Sequence, residues 1–226
     1  MNSPNAAPRE LLRTSPFSYE CRACSRCCHG YRIRVNPFES LTLARHLDIG
    51  TTEFRQRFLD ADSMLRHEGK EERCVFLGAK GCTVHPARPL ACRLYPLGRS
   101  ATSGGDERFF QISPHPQTEG IYGHGGTVGQ YLAEQGADAF IAAADRYLEL
   151  YCRCVSALDV TPDPAAGDGD GFGELLDADY VIAKYLPGNE DGRLAPTDAM
   201  NLHIQALEAL LLKPQRNTHE QVETGD

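Results

Sequence analysis

Four cysteines lie within eight positions near the start of this chain, in the segment CRACSRCC at residues 21–28. Three more follow at Cys74, Cys82 and Cys92, in a stretch broken by glycines and prolines. Such a stretch disfavours regular structure, because proline lacks the backbone N–H and glycine loses much conformational entropy on folding. The chain around these cysteines therefore needs another source of folding energy, and a bound metal supplies one.

This cysteine pattern has three interpretations: disulfide bonds, a zinc site and an iron–sulfur cluster. Disulfide frameworks are typical of small secreted chains with an even cysteine count, whereas this chain has 226 residues and nine cysteines. One zinc ion takes four ligands, so this set overfills a single zinc site. The C-x₂-C-x₂-C spacing of Cys21, Cys24 and Cys27 is typical of iron–sulfur proteins, which take a further ligand from elsewhere. We predict an iron–sulfur cluster of the 4Fe-4S type, with zinc as the alternative.

Composition and charge narrow the function classes. The chain has no run of about 18 apolar residues, and its N-terminus lacks the apolar core of a secretory signal, so we expect a cytoplasmic protein without a membrane partner. The net charge of −8 divides unevenly, since residues 21–99 carry 14 Lys or Arg against 8 Asp or Glu. Basic residues beside clustered thiolates account for this local excess. The sequence has no basic stripe interleaved with exposed aromatic residues, so we predict no nucleic-acid partner.

The predicted fold class is α+β and mostly helical, with a small irregular cysteine-rich core centred on metal and flanked by helices. Turn and capping signals predict a strand at 31–35, a helix from Asn36 that ends at Gly50, and a second helix from Thr51. A hairpin near 78–81, a short helix near 90–95, a strand at 108–112 and an irregular loop at 113–126 follow. Further helices are predicted from Thr127, over 137–157, over 174–185, and over 197–212 with Thr197 as its cap.

Five segments make up the predicted domain organisation. They are a flexible leader (1–16), a cysteine-cluster metal-binding domain (17–158), an acidic linker (159–173), a helical C-terminal extension (174–214) and a disordered tail (215–226).

These cysteine motifs resemble the YkgJ-type cysteine-cluster family, the zinc- or iron-chelating CxxCxxCC domain of Fe-S-cluster-containing proteins. The resemblance rests on CRACSRCC, on CVFL after residue 73, and on GCTVHPARPLACRLYP from Gly81 to Pro96. It implies that seven cysteines are metal ligands: Cys21, Cys24, Cys27, Cys28, Cys74, Cys82 and Cys92. Arg88, Pro89, Arg93 and Pro96 also match the family pattern, and the arginines are expected to neutralise thiolates or to donate to sulfurs or backbone carbonyls.

Two histidines mark departures from the family pattern. His85 stands where members often have tyrosine, so we expect a structural neighbour there and no ligand. His115-Pro116 stands where many members carry Cys-Pro, and His115 is therefore an eighth predicted ligand, although a loop histidine is more often simply solvated.

The function predicted at this stage is metal binding, with a redox or protein- or peptide-modifying role. The alternative is a zinc-binding structural or interaction module without catalysis. Catalytic residues and oligomeric state cannot be assigned from the sequence, and enzymatic activity stays open; an enzyme of this kind would be a metal-dependent oxidoreductase or a protein-modifying enzyme. Cys152 and Cys154 lie two residues apart on a predicted helix, where they cannot both face one metal.

Overall fold

The computed structural model describes residues 10–158, 172–188 and 194–211. Its α-helices are α1 (Pro37–His46), α2 (Thr51–Phe58), α3 (Leu90–Leu94), α4 (Val128–Glu134), α5 (Asp138–Leu158), α6 (Phe172–Leu175), α7 (Ala178–Tyr185) and α8 (Pro196–Leu211). The predicted acidic linker and disordered tail lie almost wholly outside the described residues. No helix in the described part of the chain is long and apolar enough to cross a bilayer.

Short antiparallel strands complete the fold and make it a mixed α+β structure. They are β1 (Glu10–Leu11), β2 (Pro16–Glu20), β3 (His67–Glu68), β4 (Arg73–Cys74), β5 (Leu77–Gly78), β6 (Gly81–Cys82), β7 (Leu97–Ala101), β8 (Glu107–Gln111) and β9 (Ile121–Thr127). A three-stranded sheet has the order β1-β8-β7, and β2 pairs with β9, β3 with β4, and β5 with β6. The hairpin β5–β6 and the strand β8 confirm two predictions.

Local capping signals were accurate at the starts of α1 and α4 and less so at the end of α1. Asn36 closes a capping box with Glu39 at the start of α1, and Thr127 does so with Gln130 at the start of α4. Helix α1 ends before Gly50, which instead stands as the N-cap of α2. The turn between these helices uses Asp48 at φ 55°, a left-handed conformation that aspartate tolerates better than most residues.

Three sequence predictions of local structure were wrong. Residues 31–35 form no named strand, because they pair with 63–65 only through an isolated bridge and two neighbouring hydrogen bonds. The predicted loop 113–126 contains most of β9, whose glycines allow close approach to β2: a Cβ on Gly123 would come 2.7 Å from Ser18 Oγ. Helix α8 begins at Pro196, before the predicted cap Thr197.

The predicted leader contributes strands to the fold over its described residues. Leu11 of β1 is 9% exposed and pairs with Phe109 of β8. Pro16 begins β2 and pairs with Thr127. Strands within residues 10–16 therefore pair with later strands of the chain, and the domain boundaries stay a prediction. Residues 1–9 lie outside the described part.

Three apolar clusters form the core. The C-terminal cluster joins α1, α5, α7 and α8 through Phe38, Leu41, Phe140, Val181 and Ile204 among others. The sheet cluster packs the β1-β8-β7 sheet against α4, with Leu11, Leu97, Phe109, Val128 and Leu132. The α1–α2 cluster contains Leu43, Phe54, Leu59, Phe76 and Val84, and Cys74 and Cys82 pack against it.

Polar contacts fasten α7 to the first two helices. Arg45 donates both terminal nitrogens to Asp179, at 3.0 and 2.6 Å, and Asp179 also accepts the backbone N–H of Thr51 at 2.8 Å. The Thr51 hydroxyl donates to Asp177 at 2.6 Å. The C-terminal helices therefore share a core and a hydrogen-bond network with the N-terminal half of the chain. Their division into a separate extension stays a prediction.

His203 of α8 is fully buried within the C-terminal cluster region. Its Nδ1 lies 2.9 Å from the Tyr147 hydroxyl, and its Nε2 lies 2.9 Å from the carbonyl oxygen of Leu175. These contacts suit a neutral ring that carries its proton on Nε2 and accepts from the tyrosine. Burial lowers the pKa of His203 from 6.5 to about 4.

This buried histidine predicts acid sensitivity. Because the folded pKa lies below the unfolded one, the unfolded chain binds an extra proton as pH falls from 6.5 towards 4. We expect a loss of about 3 kcal/mol of unfolding free energy across that window. His203→Gln should flatten the profile measured by urea titration at several pH values, whereas H124Q, at an exposed position, should not. Equal slopes in wild type and H203Q would contradict this account.

Candidate metal centre

The CRACSRCC segment is held in an unusual backbone conformation. It is irregular apart from a 3₁₀ turn at Arg26–Cys28. Ala23 and Ser25, on either side of Cys24, have φ of 52° and 60°. Such left-handed conformations are uncommon for residues with a Cβ and persist where surrounding interactions enforce them, often at functional sites. The segment turns sharply around Cys24 as a result.

Backbone pairing brings this segment to the second cysteine group. His29 forms an isolated antiparallel bridge with Arg73, and the N–H of Gly30 donates to the carbonyl of Glu72 at 3.1 Å. Cys28 and Cys74 therefore each adjoin a residue of the same bridge. The hairpin β5–β6 follows at once and carries Cys82 opposite Leu77.

Cys92 comes from a third element, the short helix α3. A carboxylate oxygen of Glu39 accepts the N–H of Leu90 at 2.6 Å, which fixes the start of α3. Arg93 fixes the other side, since its guanidinium donates to the carbonyls of Arg88, Gln135 and Pro86 at 3.0, 2.8 and 2.6 Å. The same guanidinium stacks on Phe140 at 4.0 Å. The expectation that Arg93 donates to backbone carbonyls is confirmed.

The thiols of this region influence one another's ionisation. A hydrogen bond from the Cys28 thiol lowers the pKa of Cys27 to about 7, and the same bond raises the pKa of Cys28. Burial raises the pKa of Cys92, and negative charge on Cys74, Cys27 and Cys82 raises it further. Thiolates formed at this place would therefore repel each other, and a cation among them would relieve that repulsion.

Backbone N–H groups point at three of the sulfurs in the same local pattern. The N–H of Ala23 donates to Cys21 Sγ at 3.4 Å. Burial raises the pKa values of Cys74 and Cys82, while the backbone N–H groups of Phe76 and Val84 act to lower them. In each case the donor lies two residues after the cysteine. Hydrogen bonds of this kind stabilise thiolates, the form in which cysteine binds metal.

Arginines supply positive charge at the same place. Burial raises the pKa of Cys82 and the positive charge of Arg88 partly opposes this, while Arg88 Nη2 donates to Gln135 Oε1 at 2.9 Å. Arg26 lies between Cys24 and Cys27, and its Nε is buried with no hydrogen-bond partner among the described residues. Since buried guanidinium groups are normally satisfied, this N–H is an unused donor within the cysteine segment.

Residues 20–115 match the family profile CxxCxxCC, described as a "Putative zinc- or iron-chelating domain". We refer to this segment as the CxxCxxCC domain. All eight predicted ligands, from Cys21 to His115, lie within it. No curated protein and no solved structure is significantly similar to the chain.

The cysteine thiols of the CxxCxxCC domain are chemically suited to a thiophilic metal. They are not arranged in the geometry of metal ligands. No three Cys, His, Asp or Glu side chains within residues 10–158, 172–188 and 194–211 are arranged to hold a metal ion. Five thiols interact electrostatically: Cys27, Cys28, Cys74, Cys82 and Cys92. The left-handed residues, the N–H···S bonds and the unpartnered Arg26 Nε fit a bound group. The ligand set stays a prediction.

Cys21 and Cys24 lie towards a cluster of tyrosines in the domain. Cys21 is exposed, and its charge and that of Cys24 act on Tyr19, whose pKa is raised chiefly by burial. The Tyr19 ring centroid lies 6.0 Å from that of Tyr95 and 5.0 Å from that of Tyr122. The sequence contains no periodic spacing that predicts this tyrosine cluster, because its members come from separate strands and loops.

His115 is anchored beside these tyrosines through its backbone, whose N–H donates to the Tyr95 hydroxyl at 3.3 Å. Its Nδ1 accepts the N–H of Gln117 at 3.1 Å, so a neutral ring carries its proton on Nε2. Metal ligation by either nitrogen would require this turn to rearrange. His115 remains a predicted ligand, and the described geometry does not favour it.

The two remaining cysteines lie apart from the domain on α5. Cys154 packs against the C-terminal cluster. Cys152 lines a shallow surface depression with Ser103, Glu149 and Arg153. The two thiols thus have different surroundings, as their helical spacing predicts.

Proposed function

We propose that the CxxCxxCC domain binds an iron–sulfur cluster through its cysteines and takes part in redox chemistry on a protein or peptide partner. The observation that carries the proposal is the electrostatic interaction among five thiols that come from three chain segments. One zinc ion takes four such ligands, whereas the thiols of the predicted ligand set exceed four even without His115.

The chain's own residues would set the properties of such a cluster. Cys74 and Cys82 would hold it from the β-hairpin side and Cys92 from α3, while the N–H groups of Phe76 and Val84 stabilise the sulfur charge. Arg88 adds positive charge near Cys82. Bound there, an iron–sulfur cluster supplies one-electron transfer at a potential that these hydrogen bonds and charges tune.

Exposure of Cys21 supports a partner-facing role. Cys21 is the exposed member of the predicted ligand set, whereas the other six cysteines are partly buried. A redox partner or a peptide substrate would therefore reach the centre from the side of residues 21–24. This role would make the chain a metal-dependent oxidoreductase or a protein-modifying enzyme.

A structural zinc site is the second candidate, and a specific observation favours it. The ligand segments contain left-handed non-glycine residues, Ala23, Ser25 and Glu72, which a structural metal would hold in place. In this case the metal replaces part of the hydrophobic core and the module docks partners without catalysis.

Metal and sulfide analysis separates the two candidates. Protein purified without oxygen should be brown, absorb broadly near about 400 nm, and contain iron together with acid-labile sulfide. A C152S/C154S double variant, altered only outside the domain, should give the same spectrum and the same metal content. Colourless protein with stoichiometric zinc and no sulfide would establish the zinc module and overturn the iron–sulfur proposal.

A further inference from the structure

A buried carboxylate joins the beginnings of two helices. Glu39 is 3% exposed, and its Oε2 accepts the N–H of Asn36, the N-cap of α1, at 2.8 Å. Its Oε1 accepts the N–H of Leu90, the first residue of α3, at 2.6 Å. An ordinary capping box uses only the first of these bonds. Each oxygen of Glu39 thus serves a different helix.

The capping box of α4 shows the ordinary arrangement in the same chain. Gln130 Oε1 accepts the N–H of Thr127 at 2.9 Å, and the Thr127 hydroxyl accepts the N–H of Gln130 at 3.2 Å. Within the described residues the side-chain hydrogen bond of Gln130 stays inside its own cap. The second bond of Glu39 therefore goes beyond what helix capping requires.

Helix α3 depends on outside contacts for its position. It has five residues, too few to be stable by itself. Cys92 lies in its first turn, where the Cys92 N–H donates to the carbonyl of Pro89 at 3.0 Å. Any shift of Leu90 therefore carries the Cys92 sulfur with it.

Helix α1 links this contact to the other cysteines. Leu43 and Ala44 of α1 belong to the α1–α2 cluster, against which Cys74 and Cys82 pack. Glu39 lies one turn earlier on the same helix and holds α3. One rigid helix thus spans the distance between two of the ligand-bearing segments.

We propose that Glu39 is a positioning residue for the metal centre, whose carboxylate fixes the Cys92 thiol relative to Cys74 and Cys82. This inference rests on the proposed function, because it takes Cys92 as a ligand. Replacing a residue that orients a metal ligand through a hydrogen bond typically lowers metal affinity by about 10- to 100-fold.

Glu39→Gln is the informative variant, because it nearly preserves size and removes one acceptor. The amide offers one oxygen to the two N–H groups, and its NH₂ group cannot accept from the other. We expect metal release to a chelator to become at least about tenfold faster than in wild type. Q130A, which breaks the ordinary capping box, and I204V, which weakens the C-terminal cluster, should release metal at close to the wild-type rate.

A second measurement does not depend on bound metal. In the metal-free protein, alkylation of Cys92 by iodoacetamide is followed by peptide mass spectrometry, with Cys28 of the same molecule as the reference. Glu39→Gln should raise the Cys92-to-Cys28 rate ratio by roughly fivefold, because α3 loses its fixed start. The control variants should leave this ratio unchanged.

The outcomes separate this inference from the function on which it rests. Wild-type protein that carries neither iron nor zinc overturns the proposed function and, with it, the role of Glu39 at a metal centre. Metal-loaded wild type with unchanged release and unchanged Cys92 alkylation in E39Q overturns the role of Glu39 alone. Equal acceleration in I204V also overturns it, since general loss of stability would then explain the result.

Discussion

Cys82→Ser is expected to lower the metal content of the purified protein to about a tenth of wild type or less. Serine keeps the size of the side chain but offers a hard, protonated hydroxyl where soft metals prefer a thiolate. Cys82 also packs against the α1–α2 cluster, so serine additionally loses the apolar contacts of the sulfur there. Iron, zinc and sulfide per chain, measured after anaerobic purification, give the result directly.

Cys152→Ser is the matched control for that substitution. It makes the same chemical change on α5, in a surface depression outside the CxxCxxCC domain. We expect its metal content and solubility to equal those of wild type. Full metal retention in C82S, or equal loss in C152S, would remove Cys82 from the ligand set.

Arg93→Ala is expected to lower the free energy of unfolding by about 2 to 4 kcal/mol, because three backbone carbonyls lose their donor. The side chain is 7% exposed, and its guanidinium also stacks on Phe140. Arg93→Lys should recover only part of the lost unfolding free energy, because an ammonium group cannot reach three divergent carbonyls as a guanidinium does. Urea titration followed by circular dichroism on metal-free protein measures the effect without a contribution from bound metal.

Arg57→Ala provides the comparison for an arginine at the surface. Arg57 pairs with Glu53 across one turn of α2, and both side chains are more than half exposed. Exposed pairs of this kind contribute about 0.5 kcal/mol or less. If Arg93→Ala lowered the free energy of unfolding no more than Arg57→Ala does, the proposed stabilisation of α3 by the Arg93 guanidinium would be refuted.

Local signals in the sequence predicted those parts of the fold that local physics determines. The capping boxes at Asn36 and Thr127 require residues only three positions apart, and both helix starts are where these residues placed them. The hairpin near Gly78 and Gly81 follows from turn chemistry in the same way. Such features need no knowledge of distant partners.

Long-range pairing explains what the sequence could not predict. Strand β9 is rich in glycine and lacks alternation, and its partner β2 lies about a hundred residues earlier in the chain. At the candidate site the cysteine spacing predicted a thiol cluster, but the tyrosines around Tyr19 gave no periodic signal. The role of Glu39 could not be predicted from the sequence, because its bond to Leu90 depends on tertiary packing.

The placement of Leu90 has a consequence for cooperativity. This residue packs against both the C-terminal cluster and the sheet cluster, while Cys74 and Cys82 pack against the third. A metal joining Cys92 to those two thiols would therefore connect all three clusters at one point. Its binding free energy would be shared among all three clusters, so metal occupancy would strengthen the tendency of the chain to unfold as a single unit.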